Sequence, residues 1–117
     1  MTLELLSLSS PPTAILPCNN IVGLGAMNAL QERKVRIPDE MGLVIFEDLP
    51  WFRHLNPSFT VLAQPTSKMG EMAAKFLLEQ IRRGRKRPKK PILEVELRVR
   101  QSAGGSLRAS FKEKDRE

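Results

Sequence analysis

Residues 41–46, Met-Gly-Leu-Val-Ile-Phe, form an apolar run with no polar alternation, bounded by Pro38-Asp39-Glu40 on one side and Glu47-Asp48 on the other. A strand with one wet face alternates, whereas a run without alternation belongs between two covering layers, as in a parallel strand flanked by helices. Its neighbours fit that requirement. Residues 13–16 follow the breaker Pro11-Pro12 and read as a short strand, after which Asn19 or Asn20 offers a side-chain oxygen to the free amides of a first helical turn. The helix predicted there carries Ile21, Leu24, Met27 and Leu30 as its apolar stripe and ends near Arg33. Gly23 and Gly25 weaken it by about 1 kcal/mol each relative to Ala, so a close packing contact is expected at these positions.

Beyond Glu47-Asp48, Leu49-Pro50-Trp51-Phe52 opens an irregular stretch that runs through Asn56-Pro57. Met69, Met72, Ala73, Phe76, Leu77, Gln80 and Ile81 then follow i, i+3, i+4, i+7 spacing, which predicts a helix over 67–83 with Ser67 as its cap and Gly84 as its stop. Met69, Met72 and Phe76 read as a core stripe. Leu93, Val95, Leu97 and Val99 alternate with Glu94, Glu96, Arg98 and Arg100, the pattern of a strand over 92–100, placed at a sheet edge. From 103 to 117 the chain is rich in Gly, Ser, Lys, Glu and Arg and reads as a disordered tail. Strand, helix, buried strand, helix, strand is an α/β order: parallel strands with flanking helices.

The chain has 117 residues and a net charge of +6, a size that suits one domain. The charge is local: residues 1–81 hold 6 Lys+Arg against 8 Asp+Glu, and residues 82–117 hold 13 against 5. Seven of the nine residues 82–90 are basic, which raises a short nucleic-acid-binding protein as an alternative function, since such a run neutralises phosphates. It lacks interleaved aromatics and a recognition-helix pattern, so it reads first as a solvated loop. With one cysteine, Cys18, and one histidine, His54, neither an intrachain disulfide nor a structural zinc site is expected. No apolar run approaches the ~20 residues of a membrane helix, and Glu4 stands where a signal peptide is positive, so a cytoplasmic protein is expected.

Ligands of open parallel sheets gather outside the carboxyl ends of the strands. Those ends carry Asn19, Asn20, Glu47 and Asp48, with Trp51 just beyond. Carboxylates accept from neighbouring hydroxyls, and an indole covers the C–H face of a sugar ring, so the set suits a small polyol or sugar. Each residue also has a plainer reading. Asn19 and Asn20 cap a helix, Glu47 and Asp48 solvate a strand end, Trp51 packs or meets a partner, and His54 is a surface residue. An enzyme is not expected, because Glu47 and Asp48 are sequence neighbours and side chains adjacent at a strand end diverge.

Pro12-Thr-Ala-Ile-Leu-Pro-Cys-Asn-Asn20, Gly23-Leu-Gly-Ala-Met-Asn-Ala-Leu-Gln-Glu32, Val35-Arg-Ile-Pro-Asp-Glu40, Leu43-Val-Ile-Phe-Glu-Asp48, residues 60–65 and the ending Val99-Arg-Gln-Ser102 together resemble the effector-binding domain of lactose-repressor-like (LacI/GalR) transcription regulators. The resemblance implies that residues 1–102 are the C-terminal part of a two-lobed, type I periplasmic-binding-protein-like sensor domain, a fragment of a sugar-responsive regulator. DNA is then bound through a helix-turn-helix absent from this chain, and no cofactor is implied. It places 13–58 in the second lobe, the helix over 67–83 in the first, and the strand over 92–100 back in the second. By the same resemblance Leu24 and Leu55 are homodimer contacts. Asn19 stands where the family commonly has Asn or a small residue, Asn20 where it more often has Asp, and Glu47 where it usually has the Asp that holds ligand hydroxyls. Lys34 and Ile45 stand where it usually has Gly, which asks Lys34 for a left-handed cap conformation or the helix for a different ending. A fragment of a sugar-binding transport protein shares the fold and is a further alternative.

Overall fold

The computed structural model describes residues 1–83 and 90–104, and the greater part of the basic run 82–90, the stop at Gly84 and the tail beyond 104 lie outside them. In chain order the elements are α1 (Thr2–Leu6), β1 (Ala14–Ile15), α2 (Asn20–Glu32), β2 (Gly42–Phe46), β3 (Thr60–Ala63), α3 (Thr66–Arg83) and β4 (Glu96–Arg98), with 3-10 turns at Pro50–His54 and Gln101–Ala103. The sheet order is β1-β2-β3-β4. β2 lies parallel between β1 (Ile15 opposite Leu43) and β3 (Val44, Ile45 and Phe46 opposite Thr60, Val61 and Leu62), as its unbroken apolar run requires. Periodicity does not reveal α1 or β3, because they are only 5 and 4 residues long.

The chain divides into two units, one of Met1–Ala63 with the residues from Leu97 on, the other Gln64–Glu96. In the first, Leu43, Ile45, Phe52, Phe59 and Val61 form the core, with Ile15, Met27, Ile37 and Leu49 packed against it. Leu43, Ile45 and Val61 are fully buried, each burial stabilising by roughly 1.5–3 kcal/mol. Phe52 meets Phe59 edge to face at 5.4 Å. Only one face of β2 is fully buried: Gly42, Val44 and Phe46 are half-buried, so the expectation of two covered faces is met on one side only.

α2 turns a different face inward from the one its large apolar residues suggest. Gly23, Ala26, Ala29 and Leu30 are buried, while Ile21 and Leu24 are 73% and 52% exposed. Small residues let the helix axis approach the sheet. A Cβ on Gly23 would stand 3.2 Å from Ile45 Cδ1, which explains that glycine, but around Gly25 nothing lies within 4 Å, so no packing contact accounts for it. The helix ends in a Schellman arrangement: Val35 N–H donates to Leu30 O at 2.9 Å and Lys34 N–H to Gln31 O at 3.0 Å, with Lys34 at φ +55°. Lys34 thus adopts the left-handed cap conformation that its place in the family pattern demands.

At the C-terminal return, side chains stitch residues 100–102 to the start of β3. Ser102 is fully buried, donates to Leu43 O at 2.5 Å and accepts from Thr60 N–H at 2.8 Å. Thr60 Oγ1 accepts from Arg100 N–H at 2.8 Å and donates to Arg100 O at 3.0 Å. β4 is at the sheet edge as expected, but the ladder covers three residues rather than the predicted nine, and Val95 and Leu97 are exposed, so the alternation does not bury an apolar face. In the second unit, α3 begins at Thr66, one residue before the predicted start. None of residues 66–82 is fully buried, so Met69, Met72 and Phe76 are not a core stripe.

Two substitutions test the account of α2. Gly25→Ala adds a methyl group to open space in a helix interior and is expected to stabilise by up to about 1 kcal/mol. Lys34→Gly removes the left-handed penalty and is expected to stabilise by about 1 kcal/mol. Urea midpoints at constant m-value check both.

Candidate functional site at the carboxyl ends of the strands

The chains leaving β1 and β2 run side by side, because Phe46 N–H donates to Pro17 O at 3.2 Å. Asn19–Asn20 and Glu47 are therefore brought to the same end of the sheet. Asn19 is extended, at φ −160° and ψ 174°, and its side chain accepts from Val22 N–H at 2.8 Å. It caps α2, satisfying one of the free amides of the first turn, and it remains exposed. Asn20 is the first residue of α2 and is half-buried.

Glu47 ends β2 in an unusual backbone state. Its φ is +103°, a region L-residues rarely adopt, while its N–H donates to Leu62 O at 2.9 Å. The side chain is half-buried, and its carboxylate has no hydrogen-bonded or ion-paired partner among the described residues. Strain of this kind in a non-glycine residue is found preferentially at functional positions.

Asp48 has a different occupation. Its side chain is 6% exposed and both oxygens are engaged: Oδ1 by Arg100 Nη1 at 2.9 Å, Oδ2 by Arg100 Nη2 at 2.7 Å and by Arg98 Nη1 at 2.8 Å. Arg100 Nη1 also donates to Phe59 O at 2.9 Å. The Arg100 fork holds the Asp48 carboxyl below the usual carboxylate range, burial opposes that, and the Arg98 bond adds to it. Arg98 and Arg100 were expected on a wet face, with no partner assigned. The available signal was the Val99-Arg-Gln-Ser102 ending together with a carboxylate at the end of a buried strand, which needs a cation to be tolerated.

Trp51 is 57% exposed and meets Phe52 edge-on at 6.2 Å, which leaves much of its indole in solvent. His54, Leu24 and Leu55 are also exposed. No group of three or more His, Cys, Asp or Glu side chains able to hold a metal ion occurs among the described residues, and no described helix is long and apolar enough to cross a membrane. The site thus presents a strained carboxylate and two amides, all hydrogen-bonding groups, at one end of a parallel sheet.

These features define the α/β class in which ligands meet the carboxyl ends of parallel strands, and a family profile described as periplasmic binding protein-like domain matches residues 2–103. The chain belongs to that family, and the proteins it is similar to include LacI-type transcription regulators. It is 31% identical over 99 residues to the ribose operon repressor of Haemophilus influenzae, covering 85% of this chain and 30% of the relative. It is 34% identical over 101 residues to the transcriptional repressor PurR of Mannheimia succiniciproducens, again covering 85% and 30%. A crystal structure of a putative LacI regulator from Bacillus cereus subsp. cytotoxis superposes with a TM-score of 0.78 at 27% identity, covering 87% of this chain and 36% of that one. A LacI-family regulator from Enterococcus faecium with bound ribose superposes with a TM-score of 0.73 at 26% identity, covering 88% and 38%. The chain spans less than a third of the length of these curated relatives.

Asp48→Asn is expected to destabilise by about 3 kcal/mol, because it leaves Arg100, 14% exposed, without its counter-charge. The depressed native pKa means that the unfolded chain binds the extra proton first. The contribution of Asp48 is therefore complete above the unfolded value of about 4 and is lost as pH falls through the lower native one. Urea unfolding followed below pH 5 should show a shallower acid loss in the variant than in the parent chain.

Proposed function

We propose that this chain is effector-sensing material of a LacI-type transcription regulator and that the strand-end site contacts the hydroxyls of a sugar. The observation that carries the reading is Glu47, a strained, unpartnered carboxylate at the carboxyl end of a parallel strand. It stands where the resembling family usually has the Asp that holds ligand hydroxyls. Sugar is favoured because solved relatives hold ribose, sucrose and, in the regulator CelR, cellobiose. Asn19 and Asn20 supply amides beside Glu47, and the exposed indole of Trp51 offers a face for C–H contacts. Asp48, saturated by two arginines, contributes by holding the strand end rather than by touching ligand.

In this reading the ligand biases the geometry of a two-lobed sensor, and that geometry sets DNA affinity in a part of the regulator outside these residues. The chain performs no catalysis and acts in the cytoplasm. Ile21, Leu24 and Leu55, exposed on one unit, are the apolar material for a homodimer.

A chain covering under a third of its relatives holds part of the ligand's contacts, so weak affinity is expected: a Kd on the order of millimolar, about −4 kcal/mol. Titration with ribose, sucrose and cellobiose, followed by amide NMR, should shift Asn20 and Glu47 saturably, and Glu47→Ala should remove the effect. Unmoved signals at both residues, or micromolar calorimetric binding that survives Glu47→Ala, would count against the reading.

A further inference from the structure

Glu47 is held between two anchors that both lead to β3. On its amino side its own N–H donates to Leu62 O at 2.9 Å. On its carboxyl side the next residue, Asp48, is gripped at both oxygens by Arg100 at 2.9 and 2.7 Å. Arg100 is itself tied to the start of β3 through Phe59 O at 2.9 Å and, by its main chain, through Thr60 Oγ1 at 2.8 and 3.0 Å. A residue with a Cβ leaves a φ of +103° unless its surroundings over-determine it.

We infer that Arg100 is a positioning residue for Glu47: by clamping Asp48 against the start of β3 it keeps the preceding residue in its left-handed conformation and so fixes where the Glu47 carboxylate points. The geometric part stands on these contacts alone, and its meaning for ligand rests on the functional reading above. Two features single out Arg100 over Arg98. Its planar fork engages both carboxylate oxygens where Arg98 engages one, and it is the more buried of the two, at 14% against 42% exposure.

Arg100→Lys in the full 117-residue chain keeps the charge and removes the fork. The three-bond coupling between the amide and α protons of Glu47, small at φ near +100° and large in an extended strand, is expected to rise in this variant. Amide protection along β1–β3 is expected to persist. Glu47→Gly, which relieves the strain, should raise the urea midpoint of the parent chain and give a clearly smaller rise in the Arg100→Lys background. Asp48→Glu, which retains an ion pair but displaces the fork by a methylene, should move the coupling the same way and supplies the comparison should Arg100→Lys not fold. A Glu47 coupling unchanged in the folded variants, with an equal gain from Glu47→Gly in both backgrounds, would show that Arg100 merely stabilises the fold and would overturn the inference. These measurements involve no ligand, so failure of the sugar titration bears on the functional reading alone.

Discussion

A carboxylate almost entirely out of water sits between two guanidinium groups, and the first unit is arranged around making that tolerable. Moving an ion such as Asp48 out of water costs several kcal/mol. Three charge-assisted bonds, worth roughly 1.5–3 kcal/mol each, offset the cost only if the donors are already in place. They are in place because Thr60 and Ser102 fix the main chain around Arg100 and because Phe59 O takes one of its remaining N–H groups. The pair joins the end of β2 to a segment about fifty residues later in the chain. It converts three exposed ladder residues of β4 into a defined edge of the sheet.

The polar stitching also explains how a short return segment stays attached without burying much apolar surface. Ser102 is the pivot. It accepts from Thr60 N–H and donates to Leu43 O, so one hydroxyl satisfies a donor on β3 and an acceptor on β2 at the heart of the core. Leaving such groups unpaired would cost about 1–3 kcal/mol each, so burying Ser102 is favourable only in this position. The apolar cluster of Leu43, Ile45 and Val61 lies within the same strands, and the polar and apolar contributions therefore stand or fall together.

Local patterns in the sequence were read correctly where the interaction that sets the structure is itself local. Asn19 caps α2 and residues 42–46 are the central parallel strand, each following from neighbours within a few positions, while the left-handed conformation of Lys34 follows from the resemblance. The inward face of α2 does not follow its large apolar residues but its small ones. Helix–sheet approach is set by Gly23, Ala26 and Ala29, which leave Ile21 and Leu24 outside. At the site, residues 19–20 and 47 follow β1 and β2 at the same end of the sheet, as their place in the chain implies. The role of Asp48 does not show in the sequence because its partners lie 50 and 52 residues away in a segment whose period-2 pattern places Arg98 and Arg100 on the wet side. Periodicity reports which face a residue is on, not how far a long flexible side chain reaches.

The same contrast bears on the two places where this chain departs from the family pattern beside the site. Ile45 stands in the strand where relatives of this type usually have glycine, yet it is fully buried without a clash, because the facing helix presents Gly23 with 3.2 Å between its missing methyl position and Ile45 Cδ1. A Cβ at Gly23 would press on Ile45 tightly enough that the neighbour would have to give by a few tenths of an ångström. Glu47, just past the end of β2, is one methylene longer than the Asp usual in the resembling family, and it has a positive φ even though it is not glycine. A side chain one methylene longer, on a backbone held in a strained state, has a different reach from that of an Asp. The change in reach falls on the one carboxylate at this strand end that the arginines do not hold.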